Sequence, residues 1–513
     1  MRGAIAAGHP VTAEVGAQVL RDGGNAVDAC LAAVFASWVA ESPLTGPGGG
    51  GFLLVHRSRD RSTRVFDFFV AVPGLGLPPG AAAAMEAVDV DFSGGSTQVF
   101  KIGAASCAVP GAVAGMAAAH RTFATRPWAE LLQPAIELAR DGLEMTRAQA
   151  YLHAILDLIL RHTDEGRRLY GEENRLVAGD RLVLPDLAAT LELLAERGAD
   201  ELYRGELGRA LVAFLREHGG LVTDRDLAEY RVIRRRPVTA VYRGHDFDSN
   251  PPPSSGGVLI AHALRLLDRL EADGSPGSAE SMRALVEVMR EQTRIRAERG
   301  FSGALHRGGL ARRLAAREEE AFARLGRPGE PETAARGTTH VSVVDARRNS
   351  ASLTLTTGSG SGMIVPGTGI HLNNMLGEFD LPAEPKAGTR LSSMMSPSIV
   401  SRDGDTRLVL GSAGSLRLRS AVLQVVVNVI GHGLPVGEAL DNPRIHVEEP
   451  HVHCEGGCDP DEVDRLAAMG YDVVRWRRPN LFFGGVSAVE VRPDGTLDAA
   501  GDPRRGGEGI VVE

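Results

Sequence analysis

Apolar and polar positions follow two different periods along the chain, and the period changes near residue 338. Between residues 126 and 220, apolar side chains recur at helical spacing, as in "WAELLQPAIELARDG", and this predicts amphipathic helices. Helical patterning continues to about residue 324. Beyond residue 338, "THVSVVD" and "SASLTLTTGSG" alternate like antiparallel strands. The pattern predicts a helix-rich first part and a strand-rich second part.

The first 60 residues also carry clear boundary signals. Residues 12–42 are predicted to form two helices, with Gly23 and Gly24 ending the first and Asn25 beginning the second. The N-terminus is expected to enter this helical pattern directly. A glycine-rich loop, "SPLTGPGGGG", then precedes a short strand at 52–56. Such a loop allows close backbone approach, either in a packed turn or beside a substrate.

Two later segments mark further element changes. "DLAEYRVIRRRPVTAVYRG" is predicted to be strand, and "SNPPPSSGGVLIAHALRLL" is predicted to be a turn that opens a helix. "ARLGRPGEPETAARG" is rich in Gly, Pro and charge, which is typical of an exposed linker. The linker is placed at 325–337, so that it ends directly before the pair Thr338-Thr339.

Composition narrows the class of protein. The chain has 513 residues, 43% of them hydrophobic and 24% charged, which is typical of a soluble globular protein. A net charge of −9 offers no electrostatic footprint for nucleic acid. The longest apolar stretch, "ACLAAVFASWVA", is too short to cross a bilayer. We therefore expect no nucleic-acid or membrane partner and, without an N-terminal apolar leader, a cytoplasmic location.

The cysteines indicate neither a disulfide framework nor a standard zinc site. There are four in the whole chain, too few for a disulfide framework in a chain of this length. "HVHCEGGCDPDE" brings two of them close to two histidines, but the spacing matches no standard zinc pattern. We expect no metal and no organic cofactor.

The junction at Thr338 raises the question of a nucleophile. A threonine hydroxyl is a poor nucleophile unless a base lies beside it, and an N-terminal threonine can use its own α-amine. That amine has a pKa of about 7.7–8.0, so part of it is neutral near physiological pH. An internal threonine becomes N-terminal only if the chain is cut before it. The other interpretation is an ordinary linker that runs into a strand.

A resemblance then favours the first interpretation. "GTTHVSVVD" resembles the self-processing motif of the γ-glutamyltransferase (γ-glutamyltranspeptidase) family. Further segments resemble the family in the family's order over essentially residues 3–513: "GGNAVDACLAAVFASWVAESPLTGPGGGGFLLV", "AVPGAVAGM", "PPPSSGG", "GIHLNNMLGEFD", "LSSMMSPSIV" and "GSAGS". The resemblance implies an N-terminal-nucleophile hydrolase with an α+β fold, a four-layer αββα sandwich. It also implies a precursor cut between Gly337 and Thr338, giving a large subunit 1–337 and a small subunit 338–513.

The resemblance assigns roles residue by residue. Thr338 would be the nucleophile and, after cleavage, its own α-amine base, with Thr356 supporting its hydroxyl. His340 belongs to the motif and is expected to be structural. The oxyanion donors would be the backbone N–H groups of Gly414 and Ser415. The positions expected to contact substrate are Ser392, Ser393, Glu378, Asn374 and Phe69.

The glutamyl-binding positions depart from the family pattern. Phe69 stands where the family has an arginine that holds the substrate α-carboxylate, and Met375 stands where it has a glutamine or glutamate. Losing one partner of a buried ion pair costs about 3–5 kcal/mol, so glutamyl binding is expected to be weaker. Arg417 or Arg419 could replace the lost charge.

Three functional hypotheses follow. The first is a self-processing threonine hydrolase or acyltransferase that cleaves a γ-glutamyl-like amide through an acyl-enzyme and transfers the acyl group to water or an amine. In the second hypothesis Thr338 is still the nucleophile, but the bond that it cleaves is a different amide or a C–C bond in specialised metabolism. The third is an unprocessed, non-catalytic small-molecule binding protein. In the first two, the partners are a small amide or similar substrate and the two subunits of one precursor.

Overall fold

The structure is a computed structural model. It describes residues 2–78, 84–92, 96–270, 274–298, 301–306, 309–326, 337–377, 386–414 and 417–513.

Two antiparallel sheets form the centre of the molecule. The first has seven strands in the order β22-β1-β11-β12-β2-β3-β8. These are β1 (Gly3–Ala7), β2 (Gly50–Arg57), β3 (Ser62–Phe68), β8 (Ile233–Arg235), β11 (Thr339–Asp345), β12 (Ser350–Thr356) and β22 (Glu508–Val512). The second has six strands in the order β21-β20-β16-β15-β10-β9. These are β9 (Val238–Tyr242), β10 (His245–Ser249), β15 (Ser398–Arg402), β16 (Asp405–Ala413), β20 (Gly485–Val491) and β21 (Leu497–Gly501).

The remaining strands form small sheets at the periphery. They are β4 (Glu86–Phe92) with β5 (Ser96–Ile102), β6 (Leu143–Glu144) with β7 (Arg181–Leu182), β13 (Ile364–Val365) with β14 (Ile370–His371), and β17 (Ile445–Glu448), β18 (His451–Cys454) and β19 (Asp472–Arg475) together.

The α-helices fall into three runs along the chain. The first run is α1 (Pro10–Arg21), α2 (Ala26–Ala40), α3 (Ala112–Phe123), α4 (Trp128–Asp141), α5 (Arg147–Ile155), α6 (Asp157–Leu160), α7 (Asp164–Tyr170), α8 (Pro185–Arg197), α9 (Asp200–Arg204), α10 (Glu206–Glu217) and α11 (Asp224–Glu229). The second is α12 (Gly256–Leu270), α13 (Ala279–Ala297), α14 (Phe301–His306), α15 (Leu310–Ala316) and α16 (Glu318–Arg324). The third is α17 (Leu418–Val426), α18 (Val436–Asp441) and α19 (Pro460–Ala468).

Helices cover the outer face of each sheet. Helices α1 to α4 pack with Ile5, Leu53 and Val55 of the first sheet in one apolar core. Helices α12, α13 and α17 pack with the second sheet in another core. A third, smaller core lies between the sheets and joins residues such as Leu54 and Val409. The predicted α+β, four-layer αββα sandwich is confirmed.

Both large sheets draw strands from both sides of the Gly337–Thr338 bond. In the first sheet, β1 pairs with β11 and β12 pairs with β2. In the second, β10 pairs with β15. Two subunits divided at this bond would therefore share both sheets, and we expect them to stay associated after a cut.

The predicted break between the first two helices is confirmed. The Asn25 side chain accepts hydrogen bonds from the backbone N–H groups of Val27 and Asp28, and the Asp28 carboxylate accepts one from the Asn25 N–H. This reciprocal capping satisfies donors that would otherwise be unpaired at the start of α2.

Two sequence-based predictions are wrong. Residues 3–7 do not lead straight into a helix; they form β1, which is fully buried in the first sheet. The segment predicted as strand begins instead with helix α11, whose cap is the Thr223 hydroxyl, and only then continues into β8 and β9. In both places a run of a few residues has too short a pattern to distinguish helix from strand.

None of the helices that the structure describes is both long enough and apolar enough to cross a lipid bilayer. In the histidine–cysteine segment, His451 pairs with Asp472 and His453 accepts a hydrogen bond from the Trp476 indole. Within the described residues, no group of three or more His, Cys, Asp and Glu side chains is arranged to hold a metal ion.

Candidate active site

Two threonine hydroxyls meet at the carbonyl of Gly337. The Thr338 Oγ1 hydroxyl donates to Gly337 O at 2.7 Å, and the Thr356 Oγ1 hydroxyl donates to the same oxygen at 2.5 Å. Thr356 Oγ1 also accepts a hydrogen bond from the Gly358 N–H at 2.8 Å. Since the lone pair of Thr356 receives that N–H, its own proton is directed at Gly337 O. The hydroxyls thus polarise the carbonyl of the bond that precedes Thr338.

The strand register explains this meeting. Strand β11 begins at Thr339 and β12 ends at Thr356, and the two pair with Thr339 opposite Leu355. Thr338 and Thr356 therefore lie at the same end of these two paired strands of the first sheet. The glycine-rich loop packs there as well, because a methyl group on Gly49 would lie 2.5 Å from Thr356 O. The loop is a packed turn that approaches the backbone of the candidate site.

Gly337 occupies a position with no room for a side chain. A methyl group there would lie 2.6 Å from Gly358 O and 2.7 Å from Leu44 Cδ2. Gly358 O is a backbone atom and cannot turn aside as the tip of a side chain can.

We expect Gly337→Ala to slow cutting of the chain about 10- to 100-fold, since a displacement of this size misaligns the carbonyl with both hydroxyls. The measurement is the fraction of cut chain against time on denaturing gels. Gly437→Ala is the matched control, because a methyl group on Gly437 meets nothing within 4 Å. Equal rates for the two variants would contradict the expectation.

His340, two residues from Thr338, serves the sheet and not the chemistry. Its Nδ1 bonds to the Thr354 hydroxyl at 2.8 Å and its Nε2 to the Ser342 hydroxyl at 2.9 Å. Burial lowers the pKa of His340 to about 3, so the ring is neutral at physiological pH. Both ring nitrogens are engaged by these hydroxyls, so His340 is not placed to act as the base for Thr338.

Glu41 is a buried acid beside strand β11. It follows α2 and is 7% exposed. Its Oε2 accepts a hydrogen bond from the Thr339 hydroxyl at 2.5 Å, and its Oε1 accepts one from the Thr12 hydroxyl at 3.0 Å. Burial raises the pKa of Glu41 to about 7, since these bonds and the charge of Arg505 only partly offset the lost hydration.

This pKa predicts a pH-dependent stability. From about pH 4.5 to about pH 7 the unfolded chain ionises Glu41 while the folded chain keeps its proton. The contribution of Glu41 to the free energy of unfolding is therefore most favourable below this window. As pH rises through the window, that contribution falls by up to about 3 kcal/mol in total. We expect Glu41→Gln to remove that fall, so its stability relative to wild type rises between pH 4.5 and 8. Unfolding midpoints across this range test it, with exposed Glu14→Gln as control; parallel profiles for wild type and Glu41→Gln would refute it.

Gly414 directly follows β16 of the second sheet, close to Thr338. Its φ of +125° is a conformation that favours glycine. The preceding residue, Ala413, lines an enclosed cavity together with Thr338, Glu41 and Arg505. The backbone of Gly414 is thus one residue from that cavity, which suits its predicted role as an oxyanion donor. Ser415, the other predicted donor, lies outside the described residues.

The remaining predicted substrate positions have mainly structural contacts. The Asn374 side chain accepts from the Ser359 N–H and donates to the Ser359 hydroxyl, bracing the loop after Thr356. The Ser393 hydroxyl accepts from the Met395 N–H. Ser392 is buried beside it. Both serines lie near the start of α12 and outside the lining of the Thr338 cavity. Glu378 lies outside the described residues.

The Phe69 ring belongs to the core. It is 3% exposed and stacks on Phe52 with ring centres 5.6 Å apart. Its backbone carbonyl accepts hydrogen bonds from the Tyr230 hydroxyl and from Arg390. Arg390 also pairs with the fully buried Asp67 at 3.2 Å. The ring therefore fills the apolar core at a position where the family pattern has a cation.

Neither arginine suggested as a replacement for that cation is free to act as one. Arg417 lies over the Phe482 ring at 4.1 Å and pairs with Glu448 at 3.5 Å. Arg419 is 1% exposed and donates to the Thr293 hydroxyl at 2.9 Å. Both side chains are engaged in the fold around α17.

Glu41 and Arg505 are the site residues that sequence reasoning missed. A signal for Glu41 existed, because it is the one charged residue at the end of the apolar stretch that forms α2. Arg505 had none, because it lies within "DPRRGG", far along the chain from Thr338, and only the fold brings the two together.

A buried threonine at the start of a sheet strand, on a four-layer αββα sandwich, defines the class of N-terminal-nucleophile hydrolases. The sequence profile of the family described as Gamma-glutamyltranspeptidase matches residues 12–512. The chain therefore belongs to the gamma-glutamyltranspeptidase family, and it is an N-terminal-nucleophile enzyme of the hydrolase and transferase type made as a self-processing zymogen.

Individual relatives agree with this placement. The Glutathione hydrolase proenzyme of Escherichia coli (strain K12) is 32% identical, with 98% of this chain and 90% of the relative covered. The Acylase ACY 1 proenzyme of Pseudomonas sp. (strain SE83) is 34% identical, with 100% and 94% covered. Among solved structures, the cephalosporin acylase from Bacillus halodurans has the same fold, with a TM-score of 0.84 at 24% identity over 100% of this chain and 96% of that one.

Proposed function

We propose that the chain cuts itself between Gly337 and Thr338 and that the freed Thr338 then cleaves an acyl amide. The observation that carries the proposal is the convergence of the Thr338 and Thr356 hydroxyls on Gly337 O. The cut would leave subunits 1–337 and 338–513, and the shared sheets would hold them together.

The cut follows from the chemistry of these groups. Thr338 Oγ1 attacks the Gly337 carbonyl carbon, and Thr356 donates to the carbonyl oxygen as negative charge develops there. The C–N bond breaks as the peptide nitrogen takes the proton that Thr338 Oγ1 gives up. The nitrogen leaves as the α-amine of Thr338, and Gly337 is held as an ester on Oγ1. Water then hydrolyses the ester, which releases the Gly337 carboxylate and the free Thr338 hydroxyl.

The mature reaction repeats these steps on a substrate. The neutral α-amine accepts the hydroxyl proton, Oγ1 attacks the amide carbon, and the backbone N–H of Gly414 stabilises the oxyanion. The amine product leaves with the proton, and the acyl group stays on Thr338. Water, activated by the same α-amine, releases the acid; an amine in place of water would give transfer.

The acyl group is proposed to be one that does not depend on the family's arginine. Phe69 stacks on Phe52 in the core, and Arg417 and Arg419 have other partners, which argues against the family's grip on a glutamyl α-carboxylate. The names of the relatives allow either a γ-glutamyl group or another acyl group, since one relative is a glutathione hydrolase and one is an acylase. A C–C bond beside a carbonyl is the remaining alternative.

Turnover of two matched anilides tests the proposal. The cut wild-type protein is given γ-glutamyl-4-nitroanilide and glutaryl-4-nitroanilide, which differ only in the α-amino group, and nitroaniline release is followed. We expect release from the glutaryl compound at a higher kcat/KM, because Met375 stands where the family pattern has a polar residue for the α-amino group. Hydroxylamine should intercept the acyl-enzyme as a hydroxamate. Cut protein that releases nitroaniline from neither compound would overturn amide cleavage as the function.

A further inference from the structure

The Arg505 side chain faces the cavity beside Thr338 and forms no ion pair with the described residues. The Arg505 side chain lines that cavity with Thr338, and a methyl group on Gly414 would lie 3.3 Å from its Nη2 atom. Its Nε has no hydrogen-bond partner, and no ion pair joins its guanidinium to a carboxylate of the described chain. Burial lowers the pKa of Arg505 to about 10, so the group is still charged at neutral pH.

The charges around Arg505 do not neutralise it. Asp502 is already paired, with Arg444 at 2.6 Å and Arg504 at 3.2 Å. Both carboxylate oxygens of Glu41 accept hydrogen bonds from threonines, and with its raised pKa this acid is partly uncharged near pH 7. The Arg505 guanidinium therefore has no ion-pair partner among the described residues in the cavity that it lines.

A second polar group in the cavity has no hydrogen-bond partner among the described residues. Both ring nitrogens of His153 are buried and unpaired in this part of the chain, and His9, which lines the same cavity, is buried with the Gln149 side chain as its neighbour. The two side chains are 2% and 4% exposed, respectively, and both line the cavity. Buried polar groups are nearly always paired in proteins, so this cluster has the features of a site that is completed by a ligand.

The local backbone makes room for the arginine. A methyl group on Gly485 would lie 2.3 Å from Arg505 Cδ. Any other residue at Gly485, which begins β20, would clash with the Arg505 side chain and displace it. Arg505 is thus held in place by the shape of the second sheet.

We propose that Arg505, with His9 and His153, binds a carboxylate group of the substrate next to Thr338. This inference rests on the proposed function and names the class of substrate: an amide that carries a carboxylate, bound by a cation that lies near the end of the sequence. A guanidinium matches a carboxylate with two parallel hydrogen bonds, and neutral imidazoles can donate further ones.

Three chromogenic substrates locate the carboxylate. Glutaryl-4-nitroanilide carries it in the acyl half, pentanoyl-3-carboxy-4-nitroanilide carries it in the leaving half, and pentanoyl-4-nitroanilide has none. We expect Arg505→Gln to raise KM about tenfold or more for one of the two carboxylate-bearing substrates. The KM for the neutral substrate should stay within about twofold. Arg505→Lys should recover part of the loss, and Arg402→Gln, an exposed arginine on β15, should lose nothing. An equal effect on all three substrates, or none, would overturn the proposal.

Binding of glutarate separates this inference from the proposed function. Calorimetric titration of the cut wild-type protein with glutarate should give a Kd about tenfold or more tighter than that of Arg505→Gln. This result can hold even if no anilide is turned over, in which case the proposed function fails while the carboxylate site stands. Equal binding by the two proteins, or binding by neither, would overturn the site.

Discussion

Replacing Thr338 with alanine is expected to leave the chain as a single polypeptide of 513 residues and to lower acyl-transfer activity by about 10³-fold or more. The methyl side chain can neither attack Gly337 nor hold an acyl group, and without a cut the α-amine base never forms. The measurements are the denatured intact mass and nitroaniline release from the preferred anilide.

Thr338→Ser is the matched control for this change. It keeps a hydroxyl at the same position, so it should still be cut and should retain measurable activity. Alanine-variant protein that is cut at the same bond, or that turns over the anilide at the wild-type rate, would show that Thr338 is not the nucleophile.

Replacing Thr356 with valine is expected to slow self-cutting by about 10²- to 10³-fold, the usual effect of removing one donor from a developing oxyanion. The change conserves shape and removes only the hydroxyl that lies 2.5 Å from Gly337 O. The rate is followed as the loss of full-length chain after synthesis. Thr356→Ser should restore most of it, because the hydrogen bond can form again.

Thr357→Val is the neighbouring control. Its hydroxyl is buried but has no hydrogen-bond partner among the described residues, so the same loss of an oxygen should leave the cutting rate within about twofold. If Thr356→Val were cut as fast as Thr357→Val, the Thr356 hydroxyl would have no part in polarising Gly337.

Local signals in the sequence identified the elements around the nucleophile. Asn25 and the adjacent glycines mark a helix boundary through hydrogen bonds within a few residues, and this boundary is present. The alternation after Thr338 describes β11 and β12, whose pairing is a short hairpin that is also local. The meeting of Thr338 with Thr356 follows from the register of that hairpin, and the catalytic roles of the two hydroxyls stay a prediction.

The rest of the site depends on contacts between distant parts of the chain. Glu41 reaches Thr339 across 298 residues, and Arg505, in the short helical turn after β21, lines the same cavity as Thr338. No periodicity or spacing encodes either placement. The contacts of Phe69 could not be predicted from the sequence either. Its position in the family pattern indicated a substrate contact, but its ring packs on Phe52. Such outcomes are decided by which apolar surfaces the assembled layers bury.

The measurement that tests the account most directly is the denatured intact mass of the purified wild-type protein, combined with N-terminal sequencing of its smaller fragment. The account predicts two fragments of 337 and 176 residues (513 − 337 = 176), the smaller one beginning TTHVSVVD. A persistent single chain of 54.3 kDa, or a smaller fragment that begins at another residue, would contradict it.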